Sequence, residues 1–389
     1  MSFATLAEIG MPPILMDIGR YSSVPEWPTA GEVYPALAIQ VNFVKDGLIL
    51  CFAFHHAVAD GGAFTEFVKE FGSGTTDPGN MSPVAPRIGY IAAPADQILP
   101  LTSFPEYDSR RAPTRAASTG EATTTTAIFQ FSAETVRQLE GAVAAQLKKT
   151  IGPDAWASNI ACLSSLVWVA VVRARQARLA ASDTAKIGIA VNARSVLRLP
   201  DDYFGNCIVH TNATASVEEL LSADTSANIE GSPSIISIAA VAHAAWKMRQ
   251  AVKGVNSKYV NDRLTTFSAL EDPGEVSRAY EAATDNANTG IDFSSWRDQG
   301  ADVEFGIPGT CTSKVDVWRK GWSPNEGAYN ILPRKGGSKG EACWEVSLGL
   351  SKEDMERVVV CEELGSWTTR WVGESLGWFV KGSQPCMEE

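Results

Sequence analysis

At 389 residues the chain is long enough for about two domains with sizeable cores. Its 45% hydrophobic and 20% charged residues are ordinary for a globular protein. A net charge of −12 argues against DNA or RNA as the main partner, though one local cluster of Arg and Lys would hold a few phosphates. The seven cysteines are odd in number and contain no CxxC pair, which excludes a disulfide framework and a zinc site and points to a reducing cytoplasm. No basic leader, no apolar run of transmembrane length and no convincing prenylation box at Cys386-Met387-Glu388-Glu389 is visible. The expectation is a cytoplasmic monomer with no bound metal, no nucleic-acid partner and no membrane association.

Residues 1–33 read as an irregular, proline-bearing lead-in. Leu37, Ile39, Val41 and Phe43 then alternate with polar or small residues, the period of a strand. Asp46-Gly47 is a hairpin signal, and Leu48–Phe54 has the length of a fully buried strand. Ala63, Phe64, Phe67, Val68 and Phe71 follow at helical spacing, with Gly72 as a possible stop. Residues 72–126, rich in Gly, Pro, Ser and Thr, read as a long connector containing a domain boundary.

Beyond it, Ser132 can cap a helix carrying Val136, Leu139, Val143 and Leu147, and a second helix is expected over 158–180. Ile187–Val191 reads as a buried strand, and Ser232-Pro233 as the start of an alanine-rich helix. Trp344, Val346, Leu348 and Leu350 alternate as a strand, and Ser351–Asp354 resembles a capping box with Asp in place of Glu or Gln. Helices and strands alternate without a strict βαβ rhythm, so the expected class is α/β with mixed sheets.

The stretch with most chemical content is His55-His56-Ala57-Val58-Ala59-Asp60-Gly61, which leaves the second strand and enters the first long helix. Two of the chain's four histidines stand together there, at a strand end that can aim a catalytic group. Gly61-Gly62 would let the backbone turn sharply. Buried for stability alone, the imidazoles would each need hydrogen-bond partners, which disfavours a purely structural role.

His55-His56-x-x-x-Asp60-Gly61 resembles the HHxxxDG signature shared by acyl-CoA-dependent transferases and peptide-synthetase condensation domains. The order of several weaker stretches resembles the BAHD acyltransferase family in its fungal trichothecene-acetyltransferase branch. These stretches are Asn192-Ala193-Arg194-Ser195, Tyr203-Phe204-Gly205-Asn206, Ser294-Ser295-Trp296, Val303-Glu304-Phe305-Gly306 and Ile331-Leu332-Pro333-Arg334. Read alone, the Tyr203 stretch is a simple turn, Trp296 is as readily core packing, and Glu304-Phe305-Gly306 is structural. His210 and His243 read as structural too. The chain departs from the family at Glu304, Pro308 and Ala161, and its HHxxxDG lies unusually early, as if part of the first domain were missing.

The resemblance implies a chloramphenicol-acetyltransferase-like two-domain architecture with mixed sheets and an incomplete N-terminal domain. The divisions expected are residues 1–100 for that remnant, 101–126 for the connector and 127–389 for the C-terminal domain. It implies His56 as general base and Asp60 as a structural ion-pair member with Arg194 as candidate partner. Gly61 would leave room for the thioester, and Trp296 or Ser294 would donate to the oxyanion. Acetyl-CoA or another acyl-CoA would be the co-substrate, with Arg194, Arg198, Arg334 and Lys335 as candidate phosphate ligands. A hydroxyl on a small-molecule secondary metabolite would be the acceptor. The alternatives are an amide-forming condensation catalyst and a shortened, inactive relative.

Overall fold

The computed structural model describes residues 1–27, 29, 31–74, 98–108, 124–200, 203–222, 237–310, 314–321, 325–335, 340–360, 362–373 and 379–380. Two short helices, α1 (Phe3–Glu8) and α2 (Ile18–Tyr21), precede the hairpin of β1 (Leu37–Val44) and β2 (Gly47–Phe54). The hairpin turns on Asp46 in the left-handed region, with Val44 opposite Gly47. Helix α3 (Gly61–Ser73) lays Phe64, Phe67 and Phe71 over Phe52 and Phe54 with edge-to-face geometry.

One helix is too narrow to cover both strands. Ile39 and Phe43, on the same face of β1, therefore remain 36% and 86% exposed, and β2 is half-buried along its length rather than fully buried. The helix also stops later than Gly72. Its left-handed cap is Gly74, while Gly72 is buried where an added Cβ would lie 2.5 Å from Val303.

The larger body begins with β3 (Thr124–Phe131), α4 (Ala133–Thr150), capped by the expected Ser132, and α5 (Asn159–Ala174), capped by Ser158 and ending before the expected residue 180. The chain continues through β4 (Thr184–Asn192), the single-turn α6 (Arg194–Leu197), β5 (Ile208–Ser216), α7 (Val217–Leu221) and α8 (Ile238–Gly254). Ser237 caps α8; Ser232-Pro233 lie outside the described residues. Then come α9 (Ser257–Ser268), α10 (Gly274–Thr284), β6 (Gly290–Ser295), β7 (Ala328–Ile331), β8 (Trp344–Ser351), α11 (Lys352–Val360), α12 (Glu362–Trp367), β9 (Arg370–Val372) and β10 (Phe379–Val380).

At Ser351–Asp354 the capping box is half formed. Ser351 accepts from the Asp354 N–H at 3.3 Å, but the Asp354 carboxylate turns inward to Arg175 and Arg178.

Eight strands form one sheet in the order β10-β9-β3-β8-β7-β6-β4-β5, parallel at β4/β6 and β6/β7 and antiparallel elsewhere. This is the expected mixed α/β arrangement. The two-residue strand period divides its faces sharply. Ala127, Phe129, Ile187, Ile189, Ile291, Phe293, Tyr329, Val346 and Leu348 pack with α4, α5 and α8 in the main core.

The opposite face carries Thr126, Ile128, His210, Asp292, Ser294, Asn330 and Ser347, alternating with those core residues along each strand. The N-terminal segment lies toward this polar face, with Pro13 over β3 and β7. Residues 303–310 and 314–321 also cross the boundary expected near 126. Phe305 lies tilted against Phe52 and Phe71, and Trp318 meets Phe64 edge-on, adding to the cover of β2 and α3 from later in the chain.

Candidate active site

The turn between β2 and α3 leaves His56 exposed and His55 half-buried, with the Ala57 N–H donating to His55 Nδ1 at 3.3 Å. Its anchor is Asp60, 2% exposed. One carboxylate oxygen caps α3 by accepting from the Ala63 N–H at 2.9 Å. The same carboxylate takes both ends of the Arg194 guanidinium at 2.8 and 2.9 Å, and the Cys207 N–H at 2.7 Å. Burial by itself would raise the Asp60 carboxyl; the hydrogen bonds from Arg194, Ala63 and Cys207 outweigh it and hold the group below its ordinary value.

Arg194 in turn donates to the carbonyls of Gly205 at 2.6 Å and Tyr203 at 3.3 Å, its guanidinium lying over the Tyr203 ring. Asn206 Nδ2 donates to the His56 carbonyl at 2.6 Å. The Tyr203–Asn206 stretch is therefore more than a turn: it is the socket that fixes the histidine loop. Asp60 faces away from the imidazole and does not form a triad with it.

Gly61 and Gly62 serve by close approach, not by freedom of turning, since neither has a positive φ. A Cβ on Gly62 would lie 2.7 Å from Arg194 Nη1. The space beside Gly61, expected to be left for the thioester, is filled by the Gln299 amide, with which an added Cβ would collide.

Trp296 Nε1 donates to Ser294 Oγ at 3.1 Å. The two expected oxyanion donors thus form a chain, in which the indole N–H is engaged and the Ser294 hydroxyl keeps its own proton to donate. Further along the polar face, Tyr280 donates its hydroxyl to Asp292 at 2.6 Å and stacks on His210 with 4.1 Å between ring centroids. Burial is the main cause that pushes the His210 imidazole below its ordinary value, and the charge of nearby His56 adds to it, against Asp292 and Glu106. His210 thus lies near His56 as well as being packed, which the sequence reading missed, as it missed Tyr280 and Asp292 on the same face and Gln299 beside Gly61. Only the alternation of His210 with Val209 and Thr211 could have hinted at it.

Two of the expected phosphate ligands are otherwise committed. Arg194 is held by Asp60. Arg334, 3% exposed, pairs with Asp298 at 2.9 Å and with Asp302, fixing the loop after Trp296. A phosphate would have to displace carboxylates already in place. Lys335 lies 3.5 Å from Asp316. Arg198 alone of the three arginines is exposed. Val303–Gly306 docks the hairpin through Phe305, as a structural element. Among the described residues no group of three or more His, Cys, Asp or Glu side chains is placed to hold a metal ion, and no helix is long and apolar enough to cross a membrane.

The model of the Transferase family matches residues 23–363. The chain belongs to that family, the BAHD acyltransferases. This BAHD member is 24% identical to the O-acetyltransferase ptmV of Penicillium ochrochloron, over 90% of its own length and 76% of the relative's. It is 26% identical to the trichothecene 3-O-acetyltransferase TRI101 of Fusarium sporotrichioides, over 86% and 67%. Among solved structures, TRI101 of F. graminearum complexed with coenzyme A and deoxynivalenol is similar in fold at a TM-score of 0.72 and 20% identity, covering 95% of this chain and 78% of that one. Vinorine synthase is similar at 0.58 and 16% identity, over 95% and 75%. The two-domain mixed α/β fold of the family is thereby shown for this chain.

Proposed function

We propose that this BAHD acyltransferase moves an acetyl group from acetyl-CoA to a hydroxyl of a small secondary metabolite, with His56 as general base. The observation that carries the reading is the geometry of one loop. His56 stands exposed at a strand end while Asp60, Arg194 and Asn206 immobilise its backbone from beneath. Several relatives named as O-acetyltransferases support the choice of group and acceptor.

An alcohol attacks a thioester slowly while it keeps its proton. A neutral imidazole within reach takes that proton as the oxygen attacks, and contributes about 10²–10⁴-fold. The tetrahedral oxyanion then needs a donor. Ser294 Oγ–H, with Trp296 donating to its oxygen, is suited to that task, since an oxygen that accepts one hydrogen bond donates more strongly through its own proton. Collapse expels CoA thiolate, and the imidazolium returns the proton to sulfur. No acyl-enzyme is required, so no nucleophilic Ser or Cys takes part. Arg198 is an exposed cation available for the phosphates of CoA.

The test is release of CoA thiol from acetyl-CoA with a panel of polyhydroxylated fungal metabolites. Acetylated product is expected for at least one alcohol, and His56→Ala should lower that rate by about 10²–10⁴-fold. Wild-type rates in the variant would remove His56 from the base role.

A further inference from the structure

A small pocket opens on the polar face of the sheet, lined by Thr126, Asn325, Asn330, Ser347 and Lys320, with Pro13 among its walls. Asn330 is the register partner of Ser294, so the pocket begins one strand away from the expected oxyanion donor. Its polar lining is one ammonium, two amides and two hydroxyls, with no carboxylate. Every one of those groups can donate a hydrogen bond.

Two of them stand out among the described residues. Thr126, 8% exposed, has a hydroxyl oxygen that is buried and without any hydrogen-bond partner. Lys320 has no carboxylate within ion-pair distance among the described residues, and burial pushes its ammonium below the ordinary lysine value against the opposing pull of Glu26 and Asp292. Asp292 is itself engaged with the Tyr280 hydroxyl. A half-buried cation with no ion pair among the described residues, beside an orphaned buried hydroxyl, is a poor arrangement for a protein alone and a good one for a bound anionic oxygen.

We propose that this pocket is an oxyanion subsite that receives a carboxylate carried by the acceptor. The pocket is small and open to the outside, with room for the head of a carboxylate. Ammonium recognition is that of a point charge, tolerant of angle, so the subsite fixes where the acid sits without dictating the shape of the rest. The acceptor would then lie along the polar face, its hydroxyl at His56 and its acid at Lys320. The inference rests on the acyl-transfer reading for the identity of the occupant, but its test needs no turnover.

Benzoate serves as the probe in isothermal titration of the full chain. Saturable binding is expected for the wild type, and its loss in Lys320→Met. Thr126→Val, which keeps shape and removes the hydroxyl, should weaken binding about three- to tenfold. This second variant decides the matter if Lys320→Met does not fold. Titration in the presence of saturating CoA should give the same benzoate affinity. Absence of saturable binding, or equal binding by both variants, would overturn the subsite. Mutual exclusion of benzoate and CoA would assign it to the phosphates of the thioester and overturn its assignment to the acceptor. Loss of acetyl transfer in His56→Ala bears only on the base, so the two readings fail separately.

Discussion

Asp60 carries four polar contacts on a single carboxylate: a helix cap, a neighbouring backbone N–H and both arms of Arg194. Removing one member of such a buried pair leaves the other uncompensated, which costs about 3–5 kcal/mol. Asp60→Asn keeps the shape and part of the cap, so a loss near ~3 kcal/mol is expected in chemical denaturation, with activity falling because the His56 loop loses its base. A variant as stable as the wild type would mean that the pair is dispensable. The acid dependence follows from the same carboxyl, whose folded value lies below its unfolded one. Its contribution is complete above pH ~4 and is lost as the pH falls through the lower folded value. Denaturation midpoints measured down through that range should fall less steeply for Asp60→Asn than for wild type.

Glycine positions govern how elements meet. Gly72 on α3 lies against Val303 and the Glu304 carbonyl, 2.5 and 2.8 Å from where a Cβ would stand. Gly72→Ala must push the helix off this strap, and overpacking of this kind costs about 1–3 kcal/mol. Part of the contact is backbone, which cannot rotate away. The same change at exposed helix positions would be neutral or stabilising, so thermal melting of Gly72→Ala beside Gly141→Ala separates contact from propensity. Gly188 on β4 is a second case. A side chain there would collide with the Tyr280 hydroxyl, displacing it from Asp292 and breaking the stack on His210. Gly188→Ala should therefore lower acetyl transfer more than it lowers stability, read as initial rate against melting temperature.

At the scale of the molecule, the two sheets are joined by crossings of the chain. Arg319 donates to Glu345 on β8 at 2.8 Å and to the carbonyls of Gly10 and Met11, tying the N-terminal segment to the edge of the polar face. Its side chain is 8% exposed and that of Glu345 17%. Arg319→Leu should free residues 3–21 to exchange their amide hydrogens faster while β3 to β8 stay protected. Unchanged exchange in that segment would show that the aromatic contacts of Phe305 and Trp318 suffice. In the larger body a second buried knot, Arg175 and Arg178 on Asp354, ties the end of α5 to α11 and holds the carbonyls of residues 286–290 ahead of β6. Its work is to set where β6, and so Ser294, begins.

What the sequence determined by itself is what repeats locally. The period of two in Trp344–Leu350 and the stripe on α4 follow from side-chain geometry within one element, and caps such as Ser132 and Ser158 need only the next three residues. The histidine heptapeptide was legible for the same reason, being contiguous. Helix ends set by distant contacts were not: Gly72 has the composition of a stop, but Val303 rather than the helix requires it.

Likewise Arg194 and Arg334 look alike as cations, and only the fold brings carboxylates to both while leaving Arg198 in solvent. His210, Asp292, Asn330 and Thr126 share a face because strands far apart in the chain are adjacent in the order β3-β8-β7-β6-β4-β5. Alternation says which residues share a side of one strand. Which strands lie together, and in what register, is decided by hydrogen bonding and packing across the whole sheet, and that is where the polar face was made.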